Sequence, residues 1–278
     1  MGRGVLDVIV AVLFCVLVGV PAAAVGWLVE QSGWLPGFPW WRWALIPPLA
    51  LVFLVGLLLT ATVVRLLLPR LKPGRYPFPT HPQACVWLLH FSLQRLMYLP
   101  VWRHFLFAFS TFRWALLRAL GARVAFNMDT SSDVLILDLP LMELGPETMI
   151  GAGCTLSGHL IEQGTLFLAG VLLDRGAQVG NNVLIGPGAT VGEYAVIGPE
   201  CRIAAGSTIG PFAYMGAACY LSPGVRVGAK AILGHQVNVG PGVTIGEGAV
   251  IETGTRIPRG AIIADGAHYP PDTRDGNL

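Results

Sequence analysis

The chain has 278 residues, of which 54% are hydrophobic and only 12% are charged. Its mean hydropathy of +0.63 lies outside the range of ordinary soluble proteins. A formal net charge of +2 over this length gives no reason to expect a nucleic-acid partner. The five cysteines show no C-x-x-C spacing, so we expect no metal site.

Two apolar stretches lie near the start of the chain, and each exceeds the roughly 20 residues that span a bilayer. Gly4–Val29 contains one charged residue, Asp7, and Ala44–Val64 contains none. Residues 1–80 are therefore predicted to form two transmembrane helices with their connecting segments. A cleaved signal peptide is the alternative for the first stretch, because residues 22–24 resemble a cleavage site.

The basic residues around these stretches predict their orientation. The loop between the predicted spans contains only Arg42. Four basic residues follow the second span: Arg65, Arg70, Lys72 and Arg75. The positive-inside rule then places both ends of the chain in the cytoplasm. We expect a multi-pass protein of the bacterial inner (cytoplasmic) membrane.

Residues 81–122 are predicted to form amphipathic helices at the membrane interface, broken at Pro100. From Val101 onward a helical wheel gives one apolar stripe: Phe105, Phe109, Phe112, Leu116 and Leu120. The other half of the wheel is polar: Arg103, His104, Ser110, Thr111, Arg113 and Arg118. Such a helix lies most simply in the headgroup layer, and packing against the base of the next domain is the alternative.

From Val179 to Ile263 an apolar residue returns at every sixth position, and glycine usually follows it. Helices repeat at 3.6 residues and strands at 2.0, so neither explains a period of six. A hexapeptide repeat is typical of a parallel β-helix, which we predict for residues 123–268, with residues 269–278 as a polar tail. The spacing does not give the hand, but prisms of this kind are left-handed in known families. The predicted fold class is therefore mixed: transmembrane and interfacial α-helices followed by a left-handed parallel β-helix.

Every third small position in the repeat is alanine: Ala195, Ala213, Ala231, Ala249 and Ala267. This super-period of three hexads predicts three strands per turn and hence a triangular prism. The glycine after each apolar residue is expected to supply the positive φ of a tight corner. Cys201 and Cys219 fall one coil apart and are expected to be core thiols.

The repeat is interrupted once. It also fits Leu144, Ile150 and Leu156, but the step from Leu156 to Val179 is not a whole number of hexads. A segment must leave the prism between about residues 157 and 178, and such a loop usually carries the function of a solenoid. His159 stands at this opening, where an imidazole can act as a general base. By contrast, His235 lies inside the regular repeat and is expected at a solvated turn position.

The residues around His159 resemble a known family. Leu144–Glu162 reads L-G-P-E-T-M-I-G-A-G-C-T-L-S-G-H-L-I-E. This is similar to the membrane-attached hexapeptide-repeat domains of poly-lysine-synthetase-type nonribosomal peptide synthetases, with their I-G-x-G-x-x-L-N-A-G-A-T-L-Q-x-H-L-F-E pattern and the same distance to the next V-G, here Val179-Gly180. L-G-A-R-V at 120–124 and D-T-S-S-D at 129–133 also match that family. More distantly, the prism is similar to the left-handed β-helix acyltransferases.

The resemblance implies an acyltransferase. Its general base would be His159, with Glu162 as a partner that orients the histidine or the acceptor. Asp129 and Asp133 would bind an amine acceptor, although short acidic residues before a strand are often turn formers. The donor would be an acyl-CoA, acetyl-CoA among them, used as a co-substrate, and no cofactor would be tightly bound. The resemblance also implies a homotrimer.

Two departures from the family bear on the acceptor and on the source of the acyl group. Residues 164–173 are apolar where the synthetase domains carry basic residues, which favours a hydrophobic or lipid-linked acceptor or a loop that touches the bilayer. Adenylation and carrier domains are absent from this sequence, so the activated acyl group would come from outside. The alternatives are an amide-forming relative of the synthetase domains and a non-catalytic membrane scaffold.

Overall fold

A computed structural model describes residues 3–31 and 46–270. The features predicted at residues 32–45 and 271–278, including Arg42 and most of the polar tail, lie outside this described part. The chain forms five α-helices in it: α1 Arg3–Gln31, α2 Ile46–Leu67, α3 Pro82–Met97, α4 Pro100–Ala108 and α5 Ser110–Ala119. A short strand, Gly74–Pro77, lies between α2 and α3, and a 3-10 turn covers Leu139–Leu141.

Helices α1 and α2 form at the two predicted apolar stretches. Both are long and apolar enough to cross a membrane by length and composition, each with a hydropathy of 2.4. They pack closely on each other at Gly56 of α2 and Pro21 of α1. A Cβ added at Gly56 would lie only 3.1 Å from the Pro21 side chain. Glycine at this position therefore lets the two backbones approach. The prediction of two long apolar helices is confirmed.

The helical segment after them differs from the prediction in two ways. The predicted single helix from Val101 is divided at Phe109, which has extended backbone angles (φ −113°, ψ 125°). In addition, Arg113 from the supposed polar face is buried and forms a 2.8 Å ion pair with Asp129. Arg103 likewise donates a 2.9 Å hydrogen bond to the Val134 carbonyl. These arginines thus bind the base of the next domain, as in the alternative packing, and the position of the segment at the membrane interface stays a prediction. The Phe105 side chain lies outside the described part.

The second half of the chain is a parallel β-solenoid of about eight turns with three walls. Wall 1 contains Arg123–Val124, Met142–Leu144, Val171–Leu173, Thr190–Val191, Thr208–Ile209, Arg226–Val227, Thr244–Ile245 and Ile262–Ile263. Wall 2 contains Asp129–Thr130, Met149–Ile150, Gln178–Val179, Val196–Ile197, Tyr214–Met215, Ile232–Leu233, Val250–Ile251 and His268–Tyr269. Wall 3 contains Leu135–Ile136, Thr155–Leu156, Leu184–Ile185, Arg202–Ile203, Tyr220–Leu221, Asn238–Val239 and Arg256–Ile257.

The register of the walls confirms three strands per turn. Val179 pairs with Ile197, three hexads later, and this offset repeats along the regular coils. The residues of the six-residue period point inward and are buried, and the alanine column from Ala195 to Ala249 is buried with them. Cys201 and Cys219 are also buried in the core, and each Sγ donates to a backbone carbonyl. The left hand of the solenoid stays a prediction.

The glycines of the repeat have a different role from the predicted one. Gly180 has no positive φ; instead, a Cβ there would lie 2.7 Å from the Pro199 nitrogen of the next coil. The left-handed conformation falls two residues later in each turn, at Asn182 (φ 56°) and Gly188 (φ 76°), for example. Glycine after the apolar residue is therefore required by the close approach of stacked coils, and our prediction of its φ was wrong.

Candidate active site

The chain leaves the solenoid at the corner between wall 3 and wall 1. It forms an antiparallel hairpin there, of His159–Glu162 and Thr165–Leu168, and rejoins wall 1 at Val171. A regular coil would pair Leu144 with Glu162, whereas its partner is Leu173, so the excursion lengthens this coil. Gly74–Pro77 pairs with the hairpin along its free side and completes a three-stranded sheet. The predicted interruption is confirmed.

Packing explains why this hairpin is apolar. Leu166 and Leu168 are fully buried against Ala84 and Trp87 of α3. On the other face, Phe167 lies under the guanidinium of Arg75, 5.1 Å from it. Contacts within the chain therefore account for much of the apolar composition, although Leu160 and Ile161 of the hairpin remain exposed. Contact of this loop with a bilayer or a hydrophobic acceptor stays a prediction.

His159 forms a short hydrogen bond with a carboxylate. Its Nδ1 lies 2.6 Å from Oδ2 of Asp138, whose side chain is only 1% exposed. Asp138 also accepts a 2.7 Å hydrogen bond from the indole N–H of Trp87 and a 3.0 Å bond from the backbone N–H of Gly158. Three partners therefore compensate for the burial of this carboxylate.

The position of Asp138 follows from the stacking of coils. Leu137 N–H donates to the Leu156 carbonyl, so Asp138 lies one coil below Gly158 at the same corner. Its left-handed backbone (φ 59°) leads into the 3-10 turn, which makes this coil longer than the regular ones. Helix α3 fixes the corner, because Gln94 and Tyr98 both donate hydrogen bonds to the Ile136 carbonyl.

The imidazole of His159 is enclosed on two sides by aromatic rings of α3. The Trp87 ring centroid lies 4.8 Å away and the Phe91 centroid 5.8 Å away. The side chain remains 19% exposed, and no hydrogen bond involves its Nε2 among the described residues. A carboxylate bound to Nδ1 holds the proton on that nitrogen, so Nε2 carries the lone pair. The arrangement can therefore accept a proton at Nε2.

Glu162 does not lie beside His159. It follows His159 by three positions in one strand, which puts the two side chains on opposite faces about 10 Å apart. It lines a cavity of about 630 Å³ between the outer hairpin face and the solenoid. The cavity is also lined by Arg75, Thr165, Phe167, Ala205, Gly206, Pro223 and Gly224, among others. Asp138, which the sequence analysis missed, occupies the partner position that we expected for Glu162.

The two predicted acceptor ligands are held elsewhere. Asp129 pairs with Arg113, and Asp133 accepts a 3.0 Å hydrogen bond from the Gly153 N–H. A hydrogen bond from Ser131 is the main reason that the pKa of Asp133 lies below its usual value. Both lie in the first coil, at wall 2 and at the turn that follows it, and not at the hairpin corner. Their role as acceptor ligands stays a prediction.

The remaining candidates fit structural roles. His235 is exposed, and its Nδ1 accepts a 3.0 Å hydrogen bond from the backbone N–H of Ala217 in the preceding coil. Within residues 3–31 and 46–270, no group of three His, Cys, Asp or Glu side chains is arranged to hold a metal ion.

Comparison with known proteins gives one family match. Residues 176–211 match the family of bacterial transferase hexapeptide (six repeats). No curated protein sequence matches the chain.

Several solved structures are similar. One is the UDP-N-acetylglucosamine acyltransferase LpxA of Bacteroides fragilis, with 17% identity and a TM-score of 0.43 over 47% of this chain and 53% of that chain. Another is the GDP-perosamine N-acetyl transferase of Caulobacter crescentus in complex with CoA and GDP-perosamine, with 22% identity, a TM-score of 0.33 and coverages of 56% and 57%. A third is the acetyltransferase domain of PglB from Neisseria gonorrhoeae in complex with acetyl coenzyme A, with 21% identity, a TM-score of 0.28 and coverages of 56% and 63%. The chain spans little more than half the length of the first two of these proteins.

Proposed function

We propose that the protein is a membrane-attached acyltransferase in which His159 is the general base. The observation that carries this proposal is the His159–Asp138 pair. Nδ1 is bound to a buried carboxylate, and Nε2 has no hydrogen-bond partner in the described part of the chain. A histidine held in this way at the excursion from a solenoid is suited to repeated proton transfer. The hexapeptide transferase match at residues 176–211 supports the same class of reaction.

The reaction requires one proton to be moved twice. Nε2 of His159 takes the proton of an acceptor hydroxyl or amine as that group attacks the carbonyl carbon of a thioester. The new C–O or C–N bond forms, the C–S bond breaks, and the thiolate takes the proton back from the imidazolium. Asp138 is the positioning residue, because it fixes the tautomer and stabilises the charged imidazolium.

The donor is proposed to be an acyl-CoA, or the same thioester on a carrier protein, bound as a co-substrate. The cavity beside Glu162 is the place we propose for its nucleotide end, because it runs between the hairpin and the glycine-containing corner at Gly206 and Gly224. This cavity lies on the hairpin face opposite His159, so the pantetheine arm would have to pass around the hairpin to bring the thioester to Nε2. Arg75, which lines this cavity, offers a cation for the phosphates of CoA. Glu162 is thereby assigned to the donor side of the site.

Membrane attachment through α1 and α2 is part of the proposal. Both helices have the length and hydropathy of spans, and the basic residues predict a cytoplasmic solenoid. We expect the protein to remain in the membrane fraction after alkaline carbonate extraction of cells. Release into the soluble fraction would contradict attachment.

A homotrimer is also proposed. Wall 2 and its corner with wall 1 expose several large apolar side chains that another copy could cover: Met149, Tyr194, Phe212, Tyr214 and Ile232. Native mass spectrometry of the detergent-solubilised protein should give three times the chain mass of 29.6 kDa. A monomer at micromolar concentration would contradict this assembly.

The catalytic proposal is tested by replacing the base. His159→Ala should lower turnover by at least about 100-fold, because general-base catalysis contributes about 10²- to 10⁴-fold. The assay follows release of free CoA from acetyl-CoA and longer acyl-CoAs in the presence of hydroxyl or amine acceptors. His235→Ala is the matched control, since His235 is an exposed histidine of the regular coils.

Each outcome decides between the functions considered. Equal activity of His159→Ala and the unaltered protein would remove His159 as the base. Turnover only with amines would favour the amide-forming function, and turnover with hydroxyls would favour an O-acyltransferase. A protein that releases no CoA with any donor and acceptor would favour the scaffold.

A further inference from the structure

A second cavity, which we call the α3 cleft, lies between α3, the start of α4 and the outer side of the first coil. Its volume of about 650 Å³ falls in the range of small-molecule sites. Aliphatic and aromatic side chains form most of its surface: Trp87, Leu88, Phe91, Leu99, Leu135 and Leu137. Such a surface fits an apolar chain better than a sugar or a nucleotide.

Two arginines line the same cleft. The Arg95 guanidinium lies 6.0 Å from the Phe91 ring centroid, and the Arg103 guanidinium lies 5.2 Å from the Tyr98 centroid. Neither forms an ion pair with a carboxylate in the described part of the chain, and Arg103 Nε is buried without a hydrogen-bond partner. The cleft therefore combines an apolar surface with positive charge that no ion pair neutralises.

The cleft also lies near the proposed base, although His159 does not itself line it. Trp87 and Phe91 line it, and the same two rings lie against the imidazole of His159. A ligand that follows the cleft as far as these rings would bring its end close to His159. The Arg95 and Arg103 side chains would then contact another part of the same ligand.

We propose that the α3 cleft binds the acyl acceptor, and that this acceptor is an anionic amphiphile. Its aliphatic chain lies against Leu135 and Leu137, and its phosphate or carboxylate group contacts Arg95 and Arg103. Its hydroxyl or amine lies at the end of the cleft nearest to His159. This inference rests on the proposed acyltransferase function for the identity of the acceptor, but the binding itself can be measured without turnover.

The test uses the full chain in the neutral detergent dodecyl maltoside. The probe is 11-bromoundecyl phosphate, whose bromine quenches the fluorescence of a nearby tryptophan such as Trp87. The variant Arg95→Gln should raise the concentration at half-quenching by at least about threefold, because a charge-assisted hydrogen bond is lost. Arg118→Gln is the matched control, since Arg118 is an exposed arginine stacked on Trp114 of α5, outside the cleft.

Two further probes separate the components of the site. The uncharged 11-bromoundecanol should bind more weakly than the phosphate and should not distinguish Arg95→Gln from the unaltered protein. Inorganic phosphate at the same concentration should not displace 11-bromoundecyl phosphate, because it has no chain to bury. Leu135→Gln should weaken the binding of both brominated probes. This variant tests the apolar part of the cleft without altering either arginine.

The proposal is overturned if Arg95→Gln and Arg118→Gln have equal effects, if the alcohol binds as tightly as the phosphate, or if inorganic phosphate displaces the probe. His159→Ala should reach half-quenching at a probe concentration within about twofold of that for the unaltered protein, because the imidazole is not a ligand of the anion.

Failure of the acyltransferase proposal would appear as full turnover in His159→Ala. Failure of the proposal that the α3 cleft binds an anionic amphiphile would appear in the binding assay alone, so the two results are distinguishable.

Discussion

The regular coils and the excursion at His159 are built on different principles. In the regular coils the strand N–H groups pair with carbonyls one coil away, as Gly180 does with Ile197 at 2.8 Å, and the repeat itself supplies these partners. At the excursion the partners come from separate elements. Trp87 of α3 donates to Asp138 in the first coil, which in turn binds His159 in the second. The regular coils are therefore stabilised by contacts between neighbouring repeats, whereas the site depends on contacts between segments distant in sequence.

The largest expected effect tests the regular coils. Gly210→Ala would put a Cβ 2.5 Å from the Ala229 nitrogen of the next coil, and we expect a loss of about 3 kcal/mol in the free energy of unfolding. Gly206→Ala meets open space but has φ +69°, which costs about 1 kcal/mol. Thermal unfolding followed by circular dichroism should therefore give a clearly larger drop in Tm for Gly210→Ala. Equal drops would contradict the view that coil stacking, and not φ, requires this glycine.

The next effect tests the excursion. Asp138→Asn keeps the size of the side chain but removes the charge that orients His159, so turnover should fall by about 10- to 100-fold. The CoA-release assay measures this change, and an unchanged Tm would show that the solenoid is intact. Asp265→Asn is the matched control, because Asp265 is an exposed carboxylate of the regular coils that accepts a hydrogen bond from the Glu247 N–H. Equal losses in both variants would contradict a specific role for Asp138.

The smallest effect concerns the helices that cover the base of the solenoid. Burial lowers the pKa of His90, with a smaller contribution from the charge of Arg65. The unfolded chain takes up a proton below pH 6.5 that the folded chain does not, so stability is constant above this pH and falls below it. Between pH 7 and 5.5 this amounts to at most about 1.3 kcal/mol.

The measurement for His90 is the difference in Tm between pH 7 and pH 5.5. His90→Gln can still donate to the Pro69 carbonyl, which His90 contacts at 2.9 Å, and should reduce this difference. His104→Gln, at an exposed histidine of α4, should leave it unchanged. A His90→Gln protein as acid-sensitive as the unaltered one would contradict the assignment.

The sequence predicted the solenoid well because its signal is periodic. The residues from Val179 to Ile263, the three strands per turn and the interruption after Leu156 all depend on spacing alone. The first coil was harder to recognise, although Val124, Thr130 and Ile136 keep the same period. The turn after Ile136 is longer than a regular one, so the six-residue period is lost there. The coil that contains Asp138 is therefore hard to recognise from the sequence.

The site was predicted only in part because it is not local. His159 follows from the interruption, but its partner cannot be read from spacing. Glu162 was close in sequence yet lies on the opposite face of its strand, since side chains alternate. The helical wheel failed at Arg113 for a related reason, because its ion pair with Asp129 depends on how α5 meets the first coil. A Trp and an Asp this far apart in the chain leave no pattern by which the sequence could pair them.

The pairing of Gly74–Pro77 with the hairpin has a practical consequence for anyone who wishes to crystallise a water-soluble fragment. A cut at Arg123 would keep the complete repeat array but would strip the hairpin of its neighbouring strand and of the helix that covers Leu166 and Leu168. Truncation just before Pro69 removes both long apolar helices and retains every group that contacts His159, together with the Pro69 carbonyl that His90 of α3 contacts. The fragment should therefore begin at Pro69, well before the point that the repeat itself suggests.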